Sequence, residues 1–144
     1  TDIQKKDIKL NLEKFGFELI DDKKSRVIEK IKALLIDLIQ YKNADLNQNL
    51  SSYIADNLNH DYSKLSNLFS EVEGISIEKY YINLKVEKAK ELIMYDELSL
   101  SEIADLLNYS SVAHLSNQFK KITGFTPTHF KQIKEVKRVQ IDKI

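Results

Sequence analysis

The second half of this chain carries one pattern twice, and that repeat limits its architecture more than any other feature. Ile54-Ala55-Asp56-Asn57-Leu58-Asn59 matches Ile103-Ala104-Asp105-Leu106-Leu107-Asn108. Leu65-Ser66-Asn67-Leu68-Phe69 then matches Leu115-Ser116-Asn117-Gln118-Phe119, Gly74 matches Gly124, and Tyr80 matches Phe130. The second copy is longer by one residue between its first two blocks, which places the extra residue in a turn. A duplicated unit of this size is one supersecondary motif used twice.

Each copy reads as helix, tight turn, helix. In the second, Ser99 and Glu102 have capping-box spacing and start a short helix. Ile103, Ala104 and Leu107 share its inner face, and the small Ala104 lets a second helix cross closely. Asn108-Tyr109-Ser110 makes the turn, since Asn tolerates a left-handed backbone. Ser110 or Ser111 caps the next helix, where Val112, Leu115, Phe119 and Ile122 face inward. Gly124 ends it, and Thr126-Pro127 starts another with Pro at its first position. Two short helices crossing through such a turn form a helix-turn-helix. Between the copies Ser76 to Met94 has no breaker and reads as one long, stiff helix. Two recognition helices enter successive major grooves only when held about one helical turn apart, roughly 34 Å.

Upstream, Ile3 to Phe15 reads as a short amphipathic helix closed by Gly16, and Phe17-Glu18-Leu19-Ile20 as a strand with no partner in the chain. Asp22 is a natural N-cap for a helix running to about Tyr41. Ile28, Ile31, Leu35 and Leu38 form an a/d seam on it, which serves either packing on its own chain or a homodimer through the 22–41 helix. Lys42 to Asn49 is polar and reads as a linker. The fold expected is mainly α: two helix-turn-helix subdomains joined by a long linker helix, preceded by a short helix-strand-helix segment. Residues 1–43 form that segment, a remnant of a sensing or dimerising unit; 44–137 form the double helix-turn-helix; 138–144 are a C-terminal tail. The chain begins with Thr, as a piece of something longer would.

Composition excludes several classes. With no Cys among 144 residues there is no disulfide framework and no Cys-type zinc site. His60, His114 and His129 stand far apart, so no metal or other cofactor is implied. No apolar run is long enough to span a bilayer and no signal peptide is visible, which leads to the expectation of a cytoplasmic protein without membrane contact. No nucleophile–base pair, paired carboxylates or phosphate loop suggests an enzyme. The formal charge of zero argues against nucleic acid, but its distribution argues for it. Acids dominate from Asp45 to Ser110. After Ser111 come Lys120, Lys121, Lys131, Lys134, Lys137, Arg138 and Lys143 against only Glu135 and Asp142. That asymmetry marks a phosphate-facing end.

From about Asp45 to Lys134 these residues resemble the AraC/XylS family of bacterial transcription regulators. The match is closest at Leu100-Ser101-Glu102-Ile103-Ala104, at Asn108-Tyr109-Ser110-Ser111, and from Leu115 through Gly124-Phe125-Thr126-Pro127 to Lys131. In the linker it covers Tyr80-Tyr81, Lys85-Val86, Ala89 and Leu92-Ile93. The resemblance implies a two-lobed helical domain that binds double-stranded DNA in adjacent major grooves and commonly activates transcription by touching RNA polymerase. Base readers would then be Val112, Ala113, His114 and Asn117 in the second recognition helix and Ser63, Ser66 and Asn67 in the first. Lys64, Lys120, Lys121 and Lys131 would hold phosphates without reading sequence.

This chain departs from the family pattern in several places. The usual Gly-Phe of the second turn is Asn108-Tyr109, the usual linker Arg is Lys85, and the Arg after the final aromatic is Lys131. Ser70-Glu71-Val72-Glu73 stands where the family usually has bases, and acids near phosphate repel it. That charge favours the rival reading: a helical adaptor that contacts RNA polymerase or another regulator without binding DNA itself.

Overall fold

A computed structural model describes residues 22–42, 44, 46 and 48–142, and among them every regular element is helical. Helix α1 covers residues 22–40, followed by α2 (Leu50–Leu58), α3 (Tyr62–Glu73), α4 (Ile77–Tyr95), α5 (Leu100–Leu106), α6 (Val112–Thr123) and α7 (Pro127–Asp142). The helix expected at Ile3–Phe15 and the strand expected at Phe17–Ile20 lie outside the described residues. Asp22 is already helical and bonds Arg26 one turn on, at 2.6 Å, so it is not the cap of α1. No described helix is long and apolar enough to cross a membrane.

Local chemistry sets the boundaries. Asn49 accepts a hydrogen bond from the Ser52 amide and caps α2, and Ser76 does the same for α4 from Lys79. Ser99 and Glu102 close the expected capping box on α5, while Ser111, not Ser110, caps α6 through the His114 amide. Gly74 and Gly124 end α3 and α6 in the left-handed region, at φ 77° and 85°, where a Cβ would add strain. Asn108 turns between α5 and α6 at φ 60°. Pro127 is the first residue of α7, which runs on through the residues read as a tail to Asp142.

Two hydrophobic cores form, one under each helix-turn-helix. The first gathers Ile54, Leu65, Phe69 and Ile77, and the second Ile103, Ala104, Leu107, Leu115, Phe119 and Phe130. Helix α4 feeds both, giving Ile77 to the first and Val86, Ala89 and Ile93 to the second. Helix α1 does likewise: Ile28, Ile31 and Leu35 enter the first core and Ile39 the second. The chain beyond α1 keeps to this path. The Asn108 side-chain amide donates to the Ala44 carbonyl at 3.3 Å, and Lys88 Nζ donates to Gln40 Oε1 at 2.9 Å.

This settles where the α1 seam goes. Ile28, Ile31, Leu35 and Leu38 are all buried within the chain, and side chains packed in their own core cannot also form an interface between two copies. The apolar stripe of α1 is wide because the helix lies across two subdomains. Leu35 is wholly buried and Ile36 is 42% exposed. Leu35→Ala is therefore expected to cost roughly 2–5 kcal/mol of folding free energy, and Ile36→Ala under about 1 kcal/mol. Urea denaturation of both variants measures this; equal costs would mean that the seam does not pack as described.

Candidate nucleic-acid interface

Helices α3 and α6 are built alike, position for position. Each buries a leucine one turn in, Leu65 or Leu115, and a phenylalanine four residues later, Phe69 or Phe119. Each phenylalanine meets the ring of the following helix edge-on: Phe69 with Tyr80 at 5.4 Å and 65°, Phe119 with Phe130 at 5.4 Å and 74°. The same anchoring turns the same positions outward. Ser63, Lys64 and Asn67 are exposed on α3, and Ala113, His114 and Asn117 on α6. Ser66 and Val112 are half-buried at the margin of this face. Of the residues expected to read bases, five are thus fully presented and two sit at the edge.

The charged ends of the two helices differ. Lys120 and Lys121 are exposed in the last turn of α6, where their charge also suits the helix dipole. The equivalent positions on α3 are Ser70 and Glu71. Glu73 does not join Glu71 as a second repelling charge, because it bonds Lys32 of α1 at 2.7 Å. That bond holds the Lys32 pKa above its ordinary value. Among the described residues Glu71 has no ion-pair partner, and it alone leaves an unpaired negative charge in the last turn of α3. Tyr62 is tied back as well: its hydroxyl donates to Glu78 of α4, and burial with that bond pushes its pKa up to about 12.

Lys131 is placed differently from Lys120 and Lys121. Expected as a phosphate ligand, it is only 37% exposed and its ammonium bonds Asp96, the residue that ends α4. That bond, which raises the lysine pKa, joins α4 to α7. Among the described residues Lys64, Lys120 and Lys121 are exposed and make no ion pair.

Sequence reasoning missed the surroundings of Lys85. Ile77, Tyr81, Lys85, Ala89 and Ile93 are spaced by four along α4, a spacing that places the lysine in a buried stripe. Lys85 is 9% exposed, with Nζ 3.9 Å from the centroid of the Tyr109 ring and 5.6 Å from that of Tyr81. Burial lowers its pKa to about 8, whereas burial pushes both tyrosines up to about 12. The ring faces favour the cation and partly offset its desolvation.

Residues 54–133 match the family described as Helix-turn-helix domain, over more than half of the chain. The chain belongs to this family in its AraC type. Among curated relatives, the uncharacterized HTH-type transcriptional regulator YtdP of Bacillus subtilis (strain 168) is 30% identical over 81 residues, 56% of this chain and 10% of its own. The probable transcriptional regulator LumQ of Photobacterium leiognathi is 28% identical over 119 residues, 78% of this chain and 44% of its own. This chain therefore spans less than half the length of either. Among solved structures, the C-terminal domain of AraT, a response regulator from Geobacillus stearothermophilus, superposes with a TM-score of 0.65 at 25% identity. That match covers 74% of this chain and 84% of the other.

The buried lysine carries a stability prediction with a definite sign. Its folded pKa of about 8 lies below the ordinary lysine value of 10.5, so the folded state resists the proton that the unfolded chain keeps. The cost is complete below about pH 8 and disappears as pH rises towards 10.5. Lys85→Met is expected to be more stable than wild type at pH 7 by on the order of 2–3 kcal/mol, with the gap closing by about pH 10. Denaturation of both proteins across that range tests it; a gap independent of pH would contradict the buried cation.

Proposed function

We propose that this chain is a sequence-specific DNA-binding transcription regulator that lays α3 and α6 into adjacent major grooves of one duplex. The observation that carries the reading is the matched construction of those two helices, which leaves the same polar face outward in each. Family membership supports it independently. In this reading Asn67 and Asn117 pair with adenine edges, Ser63, Ser66 and His114 bond base edges, and the methyls of Val112 and Ala113 meet thymine. Lys64, Lys120 and Lys121 grip phosphates and set the register. Contact with RNA polymerase, which the family resemblance implies, would use surface outside these two faces.

The adaptor reading drew its support from two acids at the end of α3. With Glu73 bonded to Lys32, one acid is left against two lysines on α6, which weakens the first unit's grip on phosphate without reversing it. The two units should accordingly read DNA unequally, because a helix must be anchored on the backbone before its side chains discriminate bases.

The test begins by selecting a preferred duplex from a random-sequence pool by gel shift. Asn117→Ala is expected to lose roughly 1–3 kcal/mol on that site and relax preference at one base position. Asn67→Ala should lose less. Equal losses would mean that α3 is as well anchored as α6. No enrichment of any sequence would contradict DNA reading and return the adaptor.

A further inference from the structure

Tyr109 is a junction. Its ring lies beneath the Lys85 ammonium and meets the His114 ring edge-on at 5.1 Å. Its hydroxyl donates to Gln118 Oε1 at 2.6 Å. His114 and Gln118 are one turn apart on α6, so one side chain from the turn grips the recognition helix at two successive turns. Ser110 Oγ adds a contact to His114 Nδ1 at 3.2 Å. The first unit has no such device: the residues corresponding to Tyr109 and Gln118 are the exposed His60 and the apolar Leu68.

We propose that Lys85 and Tyr109 act together as a positioning bracket for α6, holding it at the rotation at which His114 and Asn117 reach base edges. The proposal rests on the DNA-binding reading above and deepens it. A cation over a tyrosine face is attracted to the ring, and the attraction strengthens when both are withdrawn from water. Lys85 thus fixes the ring, the ring's hydroxyl fixes Gln118, and Gln118 fixes the roll of the helix. The fixed point is α4, the element that joins the two units, so the bracket references one recognition helix to the rest of the molecule. Two departures from the family pattern meet in it. A lysine in place of arginine and a tyrosine in place of phenylalanine form one contact, with a hydroxyl that phenylalanine lacks.

The charge on Lys85 gives the bracket a readout that ordinary packing lacks. The groups facing it are Tyr81 on its own helix and Tyr109 from the turn, with Tyr53 of α2 beyond Tyr81 and His114 of α6 beyond Tyr109. Burial alone displaces its titration, with no carboxylate involved. Deprotonation removes the attraction to the ring and loosens α6.

The experiment measures the ratio of specific to non-specific duplex affinity from pH 7 to about 9.5, across the lysine titration, for the intact chain and three variants. Thermal melts confirm that each is folded. In wild type the ratio should fall several-fold as pH rises. Lys85→Met should hold the low value throughout, and Lys85→Arg, which stays charged, the high one. Any pH effect from His114 persists in Lys85→Arg and is subtracted by it. Tyr109→Phe, which removes only the hydroxyl, should lower the ratio roughly three- to tenfold at pH 7 and leave non-specific affinity unchanged. Should Lys85→Met fail to fold, the arginine and phenylalanine variants still decide. A wild type that discriminates sequences but shows the flat profile of Lys85→Arg, or a Tyr109→Phe protein equal to wild type, overturns the bracket alone. A wild type with no sequence preference overturns the DNA-binding reading, and the bracket's role falls with it.

Discussion

Helices α1 and α4 each place side chains in both hydrophobic cores, and every other feature of the molecule depends on that shared packing. Each helix-turn-helix buries few apolar residues of its own, and short helices are marginal without tertiary contacts. Ile28, Ile31, Leu35 and Ile77 complete the first core; Ile39, Val86, Ala89 and Ile93 complete the second. Two small units that would be unstable apart become one body, and the separation of their recognition helices becomes a property of the core. Contacts at the rim extend the bridge: Lys88 to Gln40, Ala44 to Asn108, Lys131 to Asp96.

On this frame the two reading surfaces are copies in geometry and not in charge. Phe69 on Tyr80 and Phe119 on Phe130 orient α3 and α6 alike. Beyond that point the copies have diverged. One ends in Lys120 and Lys121 and is held by the Tyr109 bracket; the other ends in Ser70 and Glu71 and is tied to its neighbours by Tyr62–Glu78 and Lys32–Glu73. A regulator built this way would place the second unit first and let the first unit contribute span.

What the sequence made legible follows the range of the interactions involved. The cap at Ser99, the left-handed Asn108 and the stop at Gly124 depend on neighbours a few residues away, so spacing alone reveals them; the cap at Ser76, which read as part of the long helix, and the choice of Ser111 over Ser110 came only with the fold. The repeat made the recognition faces legible, since two copies with matching buried positions imply matching exposed ones. The ion pairs were not legible. Glu71 and Glu73 are two residues apart and so point to different sides of α3, but only the folded chain shows Lys32 waiting on one side. Lys131 read as a free base because its partner Asp96 belongs to another helix. The α1 seam showed an apolar stripe but not what it packs against, because a heptad-like pattern looks the same whether its partner is a second copy or the chain's own core. Lys85 was within reach, since its place in the every-fourth-residue stripe of α4 marked it as buried.

The bridge of α1 and α4 fixes the span between helices α3 and α6. The most direct measurement takes the selected duplex and inserts about half a helical turn, roughly 5 base pairs, between the two contacted grooves. Affinity should then fall to that of a duplex carrying only the second unit's half-site, and inserting about a full turn, roughly 10 base pairs, should not restore it. Full affinity on the half-turn insertion would show that the units move independently, and would contradict the account.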